Sequence, residues 1–160
     1  MAIDVFAKIG DIKGESTDGA FKDQIEVFSW SWGVSQSGSM AVGTGAGSGK
    51  ASFNDFSFVH NMDKATPNLM KACATGKHYP EATITARKAG EGQKEYMIFK
   101  FSEVFITGVA PGGSNGADAV QEMVTMQFAK VEFEYKPQKG DGSLDASVFF
   151  KYDLKANKSY

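Results

Sequence analysis

The sequence is poor in the residues that build most chemical sites. It contains one cysteine, Cys73, and two histidines, His60 and His78, among 160 residues. A single cysteine excludes an internal disulfide and a metal site made of several cysteines. The histidines have no carboxylate-rich cluster nearby in the sequence, so we expect structural or surface roles for both rather than metal binding. Cys73 has Leu69 and Met70 as helical neighbours and is expected to be a small core residue.

A dominant charge and long apolar runs are missing too. The formal net charge is −2, and the 17 basic and 19 acidic residues are interspersed along the chain. No basic patch exists for phosphate contacts, so we predict no nucleic-acid binding. No window approaches the roughly 20 apolar residues of a membrane helix, so we expect no membrane insertion. Residues 1–16 lack the features of a signal peptide. We therefore expect a cytoplasmic protein whose export uses no cleavable signal.

Familiar catalytic and cofactor-binding motifs are likewise absent. The glycine-rich run ending in Gly49-Lys50 suggests a phosphate loop, but Thr44 and Ala51 stand where that motif needs glycine and a hydroxyl residue. The alternating glycines do not fit a dinucleotide-binding pattern, and no nucleophile elbow is present. We predict that the chain is not an enzyme and holds no cofactor or metal.

What the sequence does have is aromatic residues in strand-like alternation. Thirteen phenylalanines and 42% hydrophobic residues supply a core, and the length fits one domain, residues 1–160. Within Gln24–Gln36 the large residues share one parity, which predicts a strand with one core-facing side. Those residues are Phe28, Trp30, Trp32 and Val34. The opposite parity carries Ser29, Ser31, Gly33 and Ser35, which predicts a face of small groups towards water or another chain.

Six further segments are predicted to be strands, and two of them change their buried face. The segments are Ile3–Ile9, Lys50–His60, Ala82–Lys88, Glu95–Thr107, Val124–Tyr135 and Ala146–Leu154. Switches of parity near Asn54-Asp55 and Ala129-Lys130 predict bulges or corners, as barrels and two-sheet sandwiches require. In Glu95–Thr107 we expect one core face made of Met97, Phe99, Phe101 and Phe105.

One helix is predicted. Thr66 is a candidate N-cap, Pro67 fits the first helical position, and Gly76 fits the residue after the end. Its docking face is expected to contain Leu69, Met70 and Cys73. The prediction is a mainly β fold with one short helix.

The segment Ser37–Gly49 is a long flexible loop where a hairpin needs only two to five residues. Ordering so many glycines costs backbone entropy, and they form no core of their own. We therefore expect the segment to become ordered against something outside its own domain. Its residues are Ser37, Gly38, Ser39, Met40, Ala41, Val42, Gly43, Thr44, Gly45, Ala46, Gly47, Ser48 and Gly49.

Seven segments together resemble the haemolysin-coregulated protein (Hcp) family, the tube subunits of bacterial type VI secretion systems. They are Lys8–Ser16, Trp30–Gln36, Ser37–Lys50, Asp63–Cys73, Gly76–Pro80, Arg87-Lys88-Ala89-Gly90 and Phe128–Gln138. The resemblance covers essentially the whole chain and is least distinctive after Gly140.

The resemblance implies a two-sheet β-barrel or sandwich with one short helix packed on its side. It also implies homohexameric rings that stack into a tube within a contractile sheath, with a spike protein at the tip and small effectors in the lumen. The protein would then be secreted without a cleavable signal peptide. On this reading, Ser37–Gly49 reaches an adjacent subunit or the next ring, and Ser29, Ser31 and Gly33 line the lumen.

Two other interpretations remain open on the sequence. A monomeric β-barrel that binds a small apolar ligand would use Trp30, Trp32 and the phenylalanines as its lining. A phage-type tail tube protein would share the fold. The small-residue face containing Ser29 and Ser31 is also compatible with a merely solvated strand surface.

Overall fold

The computed structural model describes residues 2–37, 51–88 and 92–160. Within these ranges the chain forms strands and one helix. The strands, in chain order, are β1 (Ile3–Ile9), β2 (Ile25–Val27), β3 (Ser29–Ser31), β4 (Val34–Gln36), β5 (Ala51–Phe53), β6 (Phe56–Asn61), β7 (His78–Lys88), β8 (Glu95–Gly112), β9 (Gln121–Gln127), β10 (Lys130–Tyr135), β11 (Val148–Asp153) and β12 (Lys158–Ser159). The helix α1 (Thr66–Thr75) lies between β6 and β7. None of the described helical structure is long and apolar enough to cross a membrane.

The longest strand, β8, organises the sheet. One edge of β8 pairs with β7, and the other edge pairs first with β10 and then with β9, always antiparallel. One path of strands runs β12-β11-β10-β8-β7-β1-β2, and β9-β6-β3 branches from β8. Because both paths share β8, they form two layers that face a common core.

The two layers meet again at Phe28. The chain pairs with β1 over Ile25–Val27 and with β6 over Ser29–Ser31. Between them, the Phe28 N–H donates to the Val59 carbonyl at 2.8 Å. The result is a mainly β barrel-like sandwich that is not fully closed, which confirms the predicted fold class. A separate two-stranded ladder, β4–β5, extends from it.

Both predicted corners exist. β5 ends and β6 begins around Asn54-Asp55, and β9 gives way to β10 at Phe128-Ala129. The second corner lies opposite Glu103 of β8, whose φ is +53°. Ala129 N–H donates to the Ser102 carbonyl at 2.9 Å, so the two strands bend while remaining paired.

The bend at Glu103 shifts which residues of β8 face inward. Before it, Met97, Phe99 and Phe101 are buried; after it, Val104 and Ile106 are buried instead. Phe105 is only partly buried. The prediction that Phe105 shares one face with Phe99 and Phe101 is therefore wrong. Side chains alternate strictly only up to Glu103, where the backbone adopts the left-handed conformation.

The predicted single strand Gln24–Gln36 is three short strands. Phe28 and Val34 are 58% and 52% exposed, so their assignment to the core is wrong. The chain changes its pairing partner at Phe28 and again before β4. Alternation predicts which side chains are buried only within one unbroken strand, so the prediction fails at these two positions. Trp32 is half-buried against Phe99 and Phe128, and Trp30 stacks on Phe56 while 37% exposed.

The helix is confirmed, with changes at its start. Gly76 ends it in the left-handed region at φ 65°, and Pro67 lies in its first turn, as predicted. Ala65 rather than Thr66 occupies the N-cap position, and no side chain caps the helix. The Thr66 hydroxyl instead accepts from the Asp63 N–H at 3.2 Å, because the side chain points into the protein.

The docking face of α1 is also rotated from the predicted one. Thr66, Leu69 and Ala72 are buried, which is the spacing of one helical face. Cys73 is half-buried against the core, whereas Met70 is 39% exposed and does not dock. The helix buries small and branched side chains instead of the longer methionine.

Replacing Phe56 with alanine is expected to lower the free energy of unfolding by about 3–5 kcal/mol. Phe56 has no exposed surface and its ring contacts those of Trp30, Phe99 and Phe101. Chemical denaturation at one fixed protein concentration measures this loss, since assembly contributes to apparent stability. Met70→Ala is the control and should change stability by less than about 0.5 kcal/mol. Equal losses in the two variants would contradict this packing.

Candidate functional site on an uncharged sheet face

Four neighbouring strands align small side chains on one outward face. One cross-strand row runs from Ser31 through Ser57 and Thr125 to Gly108. A second row runs through Ser29, Val59, Met123 and Ala110, and a third through Asn61, Gln121 and Gly112. The alternate residues, such as Phe58 and Val124, point into the core and are at most 1% exposed. Strand alternation thus places every member of these three rows on the side away from the core.

These three rows, called the uncharged face below, contain no charged side chain. They carry hydroxyls, amides and small groups, and their largest apolar residue is Met123, which is 47% exposed. The Ser31 and Ser57 hydroxyls hydrogen-bond each other at 2.8 Å. Asp55 lies just beyond the rows, and its carboxylate accepts from the Thr107 hydroxyl at 2.9 Å. The surface therefore offers hydrogen bonds without selecting for ligand charge.

The structure brings together two of the three residues predicted for this surface. Ser29 and Ser31 are exposed in adjacent rows of the uncharged face. Gly33 lies outside it, between β3 and β4, where its carbonyl accepts from the Asn54 N–H at 3.0 Å. The sequence could not show this separation, because the ladder ends after Ser31.

Residues 38–49 of the predicted loop Ser37–Gly49 lie outside the described residues. Its flanks are described: Gln36 of β4 pairs with Ala51 of β5, and Ser37 is exposed. The described residues on either side of the segment therefore lie next to each other, at the end of the β4–β5 ladder.

His60 has acidic neighbours that the sequence analysis missed. It has no exposed surface, and its Nε2 lies 2.8 Å from Glu122 Oε1 on the paired strand β9. Asp63 also approaches Nδ1 at 3.8 Å, so His60 has two carboxylates beside it although the sequence shows no carboxylate-rich cluster there. The burial of His60 agrees with the expected structural role. The sequence did contain a signal for this pair. His60 is two residues from Phe58 and Glu122 is two residues from Val124, so alternation along each strand puts both side chains on the buried face. His78, by contrast, is exposed. In the ranges described, no set of three His, Cys, Asp or Glu side chains is arranged to hold a metal ion.

An open groove of about 460 Å³ lies at the bend of β8. Its lining includes Pro80, Phe105, Phe128 and Leu154, with Glu103 and Lys155 at 2.5 Å in an ion pair beside it. Neither tryptophan lines it. The groove therefore lacks the tryptophans of the apolar-ligand interpretation, because Trp30 packs against core phenylalanines instead. Two of the phenylalanines, Phe105 and Phe128, do line it.

Comparisons with known proteins identify the relationship. The family described as "Type VI secretion system effector, Hcp" matches residues 6–135. Protein hcp1 of Pseudomonas aeruginosa is 55% identical over 159 residues, which is 98% of each chain. The chain belongs to the Hcp family. The resemblance described from the sequence is thereby confirmed.

Solved Hcp structures agree with this fold. Hcp1 from Salmonella typhimurium is 37% identical with a TM-score of 0.80, and the match covers 100% of both chains. A type six secretion system protein gives a TM-score of 0.93 at 28% identity, over 99% of this chain and 100% of the other. A type VI secretion system effector from Yersinia pestis is 36% identical with a TM-score of 0.77, over 94% and 99%.

Proposed function

We propose that this chain is a structural tube subunit of a type VI secretion system that forms hexameric rings which stack into a tube. The observation that carries this proposal is membership of the Hcp family over nearly the whole chain, at 55% identity to one relative. The proposed function is structural, with no catalytic role and no cofactor.

In this proposal the uncharged face lines the interior of the ring. A passage lined with small hydroxyl and amide groups hinders neither acidic nor basic cargo, because it presents no fixed charge to attract or repel either one. Ser29 and Ser31 lie in this face, and Gly33 lies beside it. The supporting observation is the absence of charge from three adjacent rows, in a chain where 22% of residues are charged.

Residues 37–49 are proposed to contact an adjacent subunit or the next ring. A glycine-rich arm whose largest side chains are Met40 and Val42 can enter a crowded seam and become ordered on contact. Its two ends meet at the β4–β5 ladder, which is consistent with an arm projecting from one point of the subunit.

The proposed partners follow from the tube role. Besides copies of itself, the subunit would contact a contractile sheath, a spike protein at the tube tip and small effectors in the lumen. It would assemble in the cytoplasm and leave the cell through the contractile machine, without a cleavable signal peptide. Nucleic acid and membrane insertion have no place in this proposal.

Purified protein is expected to elute as a hexamer of about 103 kDa, six times the 17.2 kDa subunit. Light scattering on the eluting peak measures the mass, and negative-stain images of the same peak should show rings. A monomer across a wide concentration range would contradict intrinsic ring assembly and would favour a ligand-binding barrel.

Ser31→Arg is expected to leave the fold and the hexamer intact but to reduce retention of lumen cargo at least several-fold. The residue is exposed, so arginine is accommodated, but it brings bulk and a charge onto an otherwise uncharged face. Co-purification of a small effector with the ring measures the effect. Thr75→Arg is the matched control, because Thr75 is exposed at the end of α1 and belongs to none of the three rows. Normal cargo retention by Ser31→Arg would refute the lumen assignment.

Deleting residues 40–47 is expected to preserve the fold while weakening the stacking of rings. Circular dichroism checks the fold, and the length distribution of tubes in electron micrographs measures stacking. The control is a variant with an arm of full length in which Met40 and Val42 are replaced by serine. It shows whether stacking depends on the length of the arm or on the contacts of these two side chains. Tube growth at the wild-type yield after the deletion would contradict the role of the arm.

A further inference from the structure

A buried acid–base cluster joins the helix to the sheet. His60 of β6 and Glu122 of β9 face the core on directly paired strands, with at most 1% of either residue exposed. His60 Nε2 lies 2.8 Å from Glu122 Oε1, and His60 Nδ1 lies 3.8 Å from Asp63 Oδ2. The imidazole therefore sits between two carboxylates on different segments of the chain.

The cluster contains two acidic side chains, Asp63 and Glu122, and one basic side chain, His60. Among the described residues, His60 is the one basic group within ion-pair distance of Glu122. A buried carboxylate without a counter-charge is strongly unfavourable. His60 Nδ1 and Glu122 Oε2 have no hydrogen-bond partner within the described structure. An imidazolium satisfies the requirement for positive charge, and its second N–H is directed at Asp63.

The same carboxylates hold the beginning of α1. Asp63 Oδ1 accepts from the Ala65 N–H at 2.8 Å, and the Asp63 carbonyl accepts from the Thr66 N–H at 3.1 Å. The Thr66 hydroxyl donates to Glu122 Oε1 at 3.2 Å. Each carboxylate thus contacts both His60 and the first turn of the helix or the residue before it.

We propose that His60, Asp63 and Glu122 form a proton-dependent clasp that fastens the start of α1 to the β6–β9 wall and loosens as the pH rises. With the proton bound, His60 donates to Glu122 through Nε2 and offers a positively charged N–H to Asp63 through Nδ1. When that proton is lost, the one N–H that His60 keeps, at Nε2, donates to Glu122. The unprotonated Nδ1 then faces the Asp63 carboxylate. Asp63 then loses its attraction to the wall, and with it the turn that positions Ala65.

The surrounding charges favour this direction. Burial lowers the pKa of His60, but the nearby carboxylates of Asp63 and Glu122 outweigh it and leave that pKa above its ordinary value. The helix contributes only the neutral Thr66 to the cluster. Beyond Asp63, Glu15 accepts from the Lys64 backbone N–H at 2.9 Å, which adds negative charge nearby. The stabilisation is complete below the unfolded pKa of about 6.5 and is lost as the pH rises through the folded pKa.

Hydrogen–deuterium exchange on the assembled, full-length protein tests the clasp. Exchange of the peptide covering Asp63–Gly76 is compared at pH 6.0 and pH 8.5, after correction for the intrinsic effect of pH. From pH 6.0 to pH 8.5 we expect the protection factor of this peptide to fall. The fall should be about tenfold for each unit by which the pKa of His60 in the folded protein exceeds its pKa in the unfolded chain. Peptides from β8 serve as the internal reference and should not change.

Two variants and one titration make the test decisive. His78→Asn removes the exposed histidine and should keep the pH dependence, whereas Glu122→Gln should weaken it, because it removes one of the two carboxylates beside His60. In His78→Asn the one remaining imidazole signal in a nuclear magnetic resonance titration belongs to His60, and it should titrate above pH 6.5. That titration does not depend on whether Glu122→Gln folds. A His60 that is neutral throughout pH 5.5–8.5, or unchanged protection of Asp63–Gly76, would overturn the proposal.

Discussion

The bend of β8 at Glu103 is the constraint on which the architecture depends. Without the bend, a strand of 18 residues would lie in one twisted sheet, but Glu103, with its left-handed backbone, turns the second half towards a second layer. The break between β9 and β10 lies directly opposite, so the neighbouring strand bends with it and the backbone pairing continues through the Ala129–Ser102 hydrogen bond. The aromatic core is enclosed because two adjacent strands change direction at the same place.

That bend also determines the two sides of the wall formed by β3, β6, β9 and the end of β8. Side chains alternate across each strand, so the rows that bury Phe58 and Val124 necessarily expose the rows that contain Ser31 and Thr125. The inner rows are large and apolar because they fill the core. The outer rows are small and uncharged, which the core does not require. Packing explains one side of the wall, and the proposed passage of cargo explains the other.

Two buried cations attach the segments that lie outside the sheet. Arg87 of β7 is 5% exposed, stands beside the rings of Phe6 and Phe21, and hydrogen-bonds to Asp18 in the connection between β1 and β2. His60 plays the corresponding part for the start of α1. The two attachments differ in chemistry, because an arginine keeps its charge at every physiological pH whereas a histidine does not. The hydrogen bond from Arg87 holds the pKa of Asp18 below its ordinary value. The connection between β1 and β2 is thus held at every physiological pH, whereas the start of α1 is held only while His60 is protonated.

Much of the fold follows from local sequence. Alternation of large and small residues located most strands, the parity changes located both corners, and Pro67 with Gly76 located the helix. Those features depend on backbone conformation and burial within a few consecutive residues. The serine rows were also visible, because Ser29 and Ser31 lie in one unbroken strand.

Only the tertiary structure decided the features that depend on pairing between distant segments. Phe28 and Val34 alternate correctly yet are exposed, because the chain changes ladders there. His60 looked isolated in the sequence, yet it lies against Glu122, 62 residues away, because β6 pairs with β9. The sequence by itself determined which side chains are large, small or charged and where local structure begins and ends. The register between strands decided which of them meet, since that register is fixed by burying the whole core at once.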